Sequence, residues 1–292
     1  VSAATGAVVA IGGGHGLAAS LAALRTLTDD LVAVVSVADD GGSSGRLRQS
    51  SELPAPGDLR KALSALSDPG SMLAAALNHR FEGGDLDGHA FGNLLIAALA
   101  HVGGDLVAGL DEVLRLTGGS GRVLPSTVDG VVLMATTEDG TEVAGQVQVM
   151  GTPRIDRVWL DPPDPDVPKE VLSAIDRADL LVLGPGSLFT SVLAAIGPPA
   201  VRDAVAAASA PLVYVCNLHP QAGESEGMGV AEHVAALGRH GLSPDVVLYD
   251  PDHIHGADGV PGAVAATLAR PHGAAHDPAL LADALATLDL PR

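Results

Sequence analysis

Two apolar runs near the N-terminus, each leading into a glycine-rich loop, constrain the fold of this chain more than any other feature. The first is Val8-Val9-Ala10-Ile11 followed by Gly12-Gly13-Gly14-His15-Gly16. The second covers 31–38 and leads into Asp39-Asp40-Gly41-Gly42-Ser43-Ser44-Gly45. Short β-branched runs without polar alternation are the pattern of parallel strands covered on both faces. The stretch 17–27 between them reads as a helix, which makes the whole a βαβ unit. Ligands bind beside the carboxyl ends of such strands. Glycine lets backbone N–H groups come close to a phosphate, and the following helix N-terminus adds a favourable dipole. The two aspartates would repel that anion unless a cation lies between. The pattern therefore predicts a site for a phosphorylated ligand together with a divalent metal.

Composition narrows the classes of partner. With 292 residues, 47% of them apolar, the chain is long enough to bury a large core. Aromatic residues are limited to Phe81, Phe91, Phe189, Tyr214, Tyr249 and Trp159, so few surfaces exist on which bases could stack. The formal charge of −19 further argues against nucleic acid as a partner. Only Lys61 and Lys169 are lysines, and the other fourteen basic residues are arginines. Cys216 is the sole cysteine, so neither an intramolecular disulfide nor a cysteine-rich metal site is expected. It lies in an apolar run, as a buried inert thiol would. No apolar stretch reaches 18 residues and the N-terminal residues lack the pattern of a signal peptide, so no membrane association is expected and the cytoplasm is the expected location.

Further along, Pro54-Ala55-Pro56-Gly57 is a break and Asp58 a candidate N-cap for a helix over 59–66. Helices are predicted over 71–77, 94–101 and 106–116. From 118 to 160 the period changes, with strand-like segments at 121–124, 131–136, 141–149 and 155–160. Asp139-Gly140 marks a hairpin turn. This region is expected to be an antiparallel β insertion on the main sheet. After the proline-rich loop 161–168, alternation resumes: helix 169–178, strand 180–183, helices 188–195 and 201–208, strand 212–216, helix 230–237, strand 246–249. The fold class is α/β, a Rossmann-like, mostly parallel sheet flanked by helices. It forms one domain over 1–255, followed by a tail over 256–292 with a helix at 278–288.

Two more strands end in turn-forming residues, Gly184-Pro185-Gly186-Ser187 and Asn217-Leu218-His219-Pro220. In an open parallel sheet all four loops can project from the carboxyl edge. Gly14-x-Gly16-x-x-Ala19, with Asp39 about twenty residues on, fits the permissive dinucleotide fingerprint, but a second glycine loop directly follows the acid. No Gly-x-x-x-x-Gly-Lys-Ser/Thr motif occurs. Adjacent strand residues face opposite sides, so Asp40 is assigned to the metal and Asp39 to a ligand hydroxyl or the backbone. Arg46 and Arg48 can neutralise phosphate charge, or lie on the surface. Asn93 is either a helix N-cap or a polar ligand contact, and Asn217 is a ligand contact. His15 can donate one hydrogen bond to phosphate, while Asp58 and Arg60 read as cap and surface. His253-x-His255 is isolated and shows no zinc spacing.

The blocks Gly12 to Leu17, Ala38 to Arg48, Pro56 to Arg60, Gly92-Asn93-Leu94, Leu183 to Ser191 and Asn217 to Gly227 closely resemble, in order, the signatures of the gluconeogenesis-factor (YvcK-like) family. That family shares a superfamily with the CofD-like 2-phospho-L-lactate transferases. The resemblance runs from about Val8 to Asp250. It implies a Rossmann-like fold and a cytoplasmic protein that binds UDP sugars, notably UDP-N-acetylglucosamine, linked to carbon metabolism, cell shape and peptidoglycan synthesis. A protein partner in those processes and an oligomer are compatible with it. The ligand-binding set is then Gly12, Gly13, Gly14, His15, Gly16, Asp39, Asp40, Gly41, Gly42, Ser43, Ser44, Arg46, Asn93, Gly184, Gly186, Ser187 and Asn217, with Mg2+ at Asp40 and no catalytic residue. His15 stands where threonine is frequent, and Ala55 replaces the first proline of a Pro-Pro-Gly-Asp turn. A magnesium-dependent phosphotransferase of the 2-phospho-L-lactate transferase type is the alternative. An NAD-dependent oxidoreductase lacks an acid or base suited to hydride transfer, and no redox cofactor is expected.

Overall fold

The computed structural model describes residues 6–41, 53–273 and 275–290. Seven strands form one parallel sheet: β1 (Val8–Gly12), β2 (Leu31–Val35), β3 (Arg122–Pro125), β7 (Leu180–Leu183), β8 (Leu212–Val215), β9 (Val246–Tyr249) and β10 (Ala263–Ala265). Their spatial order is β10-β9-β8-β7-β1-β2-β3. Three further strands, β4 (Val132–Thr137), β5 (Glu142–Ala144) and β6 (Ile155–Asp161), make a separate antiparallel sheet in the order β5-β4-β6. The chain leaves β1 toward β2 and β3, then returns to the other side of β1 through β7, β8 and β9. The order thus reverses between β1 and β7, and a crevice opens outside the carboxyl ends of those two strands.

Every residue of β1, β7 and β8 is buried, as uninterrupted apolar runs require when helices cover both faces of a parallel sheet. Helix Gly14–Leu24 packs against helices Gly57–Leu66 and Pro278–Ala286, and helix Lys169–Asp176 packs against Pro199–Ala207. Tyr214 and Phe189 are the largest fully buried side chains, and aliphatic residues fill the rest of the core. Among the described residues no helix is long and apolar enough to cross a membrane.

Four segments differ from the sequence reading. The strand expected over 121–124 lies in the main sheet, paired parallel with β2 (Val32 with Arg122, Val35 with Pro125), and not in the antiparallel insertion. Its Pro125 is tolerated because β3 is an edge strand. The strand expected over 141–149 stops at Ala144; Gly145 takes φ +96° and Gln146–Met150 forms a short helix. Beyond 255 the chain adds β10 to the sheet edge and a helix capped by Asp277, whose carboxylate accepts the Ala279 N–H at 2.9 Å. Gly262 makes that edge possible, because a Cβ there would lie 2.1 Å from the Asp245 carbonyl oxygen. Leu188–Leu193, expected as α-helix, is a π-helical turn in which the Val192 N–H reaches the Ser187 carbonyl at 2.9 Å.

The Gly92-Asn93-Leu94 turn opens a helix, Phe91–Gly103, and serves packing. A Cβ on Gly92 would lie 2.7 Å from the Leu77 carbonyl oxygen and 2.8 Å from Arg60 Cγ. Arg60 is 6% exposed, not a surface residue, and donates from Nε to Asn93 Oδ1 at 3.1 Å and from a terminal nitrogen to Asn78 Oδ1. Asn78 in turn donates to Ser64 Oγ at 2.7 Å. Gly92→Ala is expected to cost about 1–3 kcal/mol by forcing these groups apart. Chemical denaturation of the two proteins measures the difference.

Candidate functional site

A cleft of about 390 Å3 lies at the carboxyl edge where the strand order reverses. The loop after β1 supplies Gly13, Gly14, His15 and Gly16, and the loop after β2 supplies Asp39. Pro185, Gly186 and Ser187 follow β7, and Asn217 and Gln221 follow β8. All four loops singled out in the sequence therefore meet here. Gly14 opens the first helix at φ +66°, a left-handed conformation that a side chain would strain. At Gly16 the constraint is contact, since a Cβ would sit 2.2 Å from the Pro185 carbonyl oxygen and 2.8 Å from Gly186 Cα. The first and third loops thus touch backbone to backbone at the cleft.

The sequence-derived set divides. Gly13, Gly14, His15, Gly16, Asp39, Gly186, Ser187 and Asn217 line the cleft. Gly12, Asp40, Gly41, Asn93 and Gly184 do not. Gly184 accepts the Ser20 hydroxyl at 2.6 Å, the Gly41 N–H donates to Asp39 at 3.0 Å, and Asn93 is held by Arg60. Gly42, Ser43, Ser44, Arg46 and Arg48 lie outside the described residues. Asp40, expected to face a metal, has its two carboxylate oxygens on the Gln146 and Val147 N–H groups at 2.9 and 3.0 Å. It caps the short helix of the insertion from 106 residues away, and a Cβ on Gly145 would lie 2.6 Å from it. Asp39 is the aspartate of the pair that lines the cleft.

Asp58, Lys61, Gln146, Met150, Thr190, Ser191, Ala275 and His276 also line the cleft and were not anticipated. Asp58 is not a cap: Pro56 holds that position, and Asp58 sits in the first turn with its carboxylate paired to Lys61 at 2.9 Å. The scarcity of lysine was the available signal, because one of only two lies four residues after the proline break. His276 belongs to a segment without periodicity and gave no signal at all.

Among the described residues the cleft lining carries one cation, Lys61, and two carboxylates, Asp39 and Asp58, while its histidines are held neutral. Burial, the Lys61 charge and Arg60 lower the His15 pKa against the opposing pull of Asp58, so His15 is neutral at pH 7. Burial likewise lowers His276 to about 4, and its Nε2 meets the Cys216 carbonyl at 3.2 Å, where the neutral ring donates. Asn217 Oδ1 accepts the Gly186 N–H at 2.9 Å, while its buried Nδ2 and Gln221 Oε1 have no partner among the described residues. A donor and an acceptor left open at the wall of a cleft are suited to a polar ligand. Cys216 is buried, and desolvation pushes its thiol up to about 12. Among the described residues no group of three His, Cys, Asp or Glu side chains is arranged to hold a metal ion.

Two outcomes follow from this geometry. Asp40→Ala is expected to destabilise the protein by about 1 kcal/mol through loss of a helix cap, with Asp40→Asn milder because one oxygen still accepts. Urea denaturation measures both. A maleimide at pH 8 is expected to leave Cys216 unlabelled in the native protein and to label it once unfolded; mass spectrometry reads the adduct.

Comparisons with known proteins agree with this architecture. The sequence model of the family described as 2-phospho-L-lactate transferase CofD matches residues 8–258. A gluconeogenesis factor of Halalkalibacterium halodurans is 40% identical over 247 residues, covering 83% of this chain and 77% of that one. The gluconeogenesis factor of Bacillus subtilis is 42% identical over 235 residues, covering 80% and 74%. A crystal structure of a UPF0052-family protein from Bacillus halodurans superposes with a TM-score of 0.89 at 32% identity, covering 96% of this chain and 99% of that one. Family model, relatives and fold converge: the chain belongs to the gluconeogenesis-factor family within the CofD superfamily.

Proposed function

We propose that the chain binds a nucleotide sugar of the UDP-N-acetylglucosamine type in this cleft and acts as a regulator through the bound state. The carrying observation is the composition of the cleft: closely apposed glycine loops, the cation of Lys61, and open hydrogen-bonding atoms on Asn217 and Gln221. In this reading the N–H groups of the glycine loop after β1 hold the diphosphate, and Lys61 leaves Asp58 to offset its charge. Neutral side chains such as Asn217, Gln221 and His276 then read hydroxyl or amide groups. Asp39 and Asp58 offer two carboxylates to the same space, which suits a Mg2+ ion that enters with the ligand, completed by phosphate oxygens and water. No acid–base pair is assigned a catalytic role. Ligand-dependent ordering of the surrounding loops would present the bound state to a protein partner in the cytoplasm, with carbon use, cell shape and peptidoglycan synthesis as the processes served.

One observation favours a second reading, a magnesium-dependent phosphotransferase of the 2-phospho-L-lactate type: the family match itself, together with two carboxylates in the cleft. A transferase must also place an acceptor hydroxyl in line with phosphorus and stabilise the leaving oxygen. Calorimetry is expected to show UDP-N-acetylglucosamine binding in preference to NAD and guanosine-diphosphate donors. Lys61→Met is expected to weaken that binding roughly tenfold, as loss of a charge-assisted contact does. Mass spectrometry after long incubation with Mg2+ is expected to return the ligand intact. A phosphodiester product formed with the deazaflavin alcohol preceding coenzyme F420 promotes the transferase instead.

A further inference from the structure

Behind the cleft, on the far side of the Ser187–Thr190 turn, lies a carboxyl group that the binding reading leaves without a role. Glu224 is 1% exposed. Its Oε2 accepts the Thr190 N–H at 3.1 Å, and its own N–H donates to the Met150 carbonyl at 3.1 Å. Thr190 and Met150 both line the cleft, as does Gln221 on the loop that carries Glu224. The side chain therefore holds the Thr190 end of the cleft wall and the backbone of the same residue holds the Met150 end, while Glu224 itself is not among the residues that line the cleft.

We infer that Glu224 is a positioning residue whose charge opposes that of an anionic ligand across the Ser187–Thr190 turn, so that the cleft binds its ligand best with Glu224 protonated and takes up a proton on binding. The inference rests on the anion-binding reading of the cleft. An ionised Glu224 draws the Thr190 N–H and the dipoles of the turn toward itself; its protonation releases that field to the cleft side. A carboxylate buried directly behind a residue of the cleft wall is less screened than a surface charge, so it and an anion held on the other side of Thr190 oppose one another.

The group is suited to titrate in the neutral range. Burial pushes its pKa up to about 7, against the opposing pull of the Thr190 side chain and N–H, the Ser187 side chain and the Leu188 N–H. Charged groups from three elements share a cavity with it. Glu226 is on its own loop, Glu138 and Arg154 come from the antiparallel insertion, and Glu232 and Arg239 come from helix Val230–Arg239. Together with Glu224 they line a separate cavity of about 240 Å3. Burial keeps the Tyr214 hydroxyl of β8 protonated, with Cys216 and, to a smaller extent, Glu224 acting in the same direction. On the cleft side, His15 and Lys61 face the ligand, and His276 stays neutral across pH 6–8.

The sign follows from linkage. A bound anion raises the pKa of Glu224 further, so affinity is full below its free value and declines as pH rises through about 7. The test is calorimetry with UDP-N-acetylglucosamine, whose diphosphate does not titrate between pH 6 and 8, in buffers of differing ionisation heat. Wild type is expected to bind roughly tenfold more weakly at pH 8 than at pH 6 and to take up a proton near pH 7, whereas Glu224→Gln keeps the pH 6 affinity at both values. A purely structural role would instead lower the affinity of Glu224→Gln equally at both pH values. That result, or the same pH slope in both proteins, overturns the inference. If the variant does not fold, infrared difference spectra of wild type at pH 7 decide: a protonated carboxyl band that grows on ligand addition supports it, and no such band overturns it. Should UDP-N-acetylglucosamine fail to bind at either pH, the nucleotide-sugar reading falls and ADP-ribose, another diphosphodiester, serves as the probe. The same pattern with ADP-ribose sustains the role of Glu224; absence of binding by both anions overturns it.

Discussion

The backbone contact between the loop after β1 and the loop after β7 is the constraint on which the rest of this structure depends. At an order reversal in a parallel sheet the two loops diverge above a crevice, and here glycine brings them back together at its floor. With 2.2 Å between a notional Gly16 Cβ and the Pro185 carbonyl oxygen, any side chain would separate β1 from β7 at their carboxyl ends. The Ser20 hydroxyl holds the Gly184 carbonyl from the helix side, and Asn217 holds the Gly186 N–H from β8. Three strands are thus tied at one edge. The geometry of the cleft comes from the sheet and does not depend on loop conformation alone.

That rigidity sits in an electrostatic field that opposes an anion. A chain with 35 acidic and 16 basic residues must concentrate what positive character it has. Among the described residues Lys61 is the cation it places at the cleft, held by Asp58 at 2.9 Å. An exchange of partners by Lys61 costs little, because both ends of the pair are partly solvated. The neighbouring histidines are kept neutral, so they read shape and hydrogen bonding and add no charge.

Much of this was legible in the sequence wherever local pattern and tertiary role coincide. Strands β7 and β9 fall on the residues expected, because a bare apolar run between turn residues has only one way to be buried on both faces. The four loops were legible for the same reason, since each follows such a run. What was not legible depends on partners distant in sequence. The helix Gln146–Met150 looked like strand because its cap, Asp40, is 106 residues away. Arg60 looked like surface because Asn78 and Asn93, which receive its guanidinium, lie in other segments. β10 is three residues of Ala-Val-Ala, and only an available sheet edge makes it a strand. His276 enters the cleft on a connection without periodicity.

The Asp39-Asp40 pair shows how both kinds of information meet in two residues. On an extended backbone neighbours point to opposite sides, and the structure uses both directions. Asp39 turns toward the cleft, and Asp40 turns to the antiparallel insertion and fixes its short helix. That helix carries Gln146 and Met150 into the cleft wall, and the Met150 carbonyl in turn holds the Glu224 N–H. The insertion is therefore fastened to the sheet through the same two-residue step that supplies an acid to the site. Its position over the cleft follows from the end of β2, and a change in the wall behind Thr190 is connected to the acidic loop through one helix five residues long.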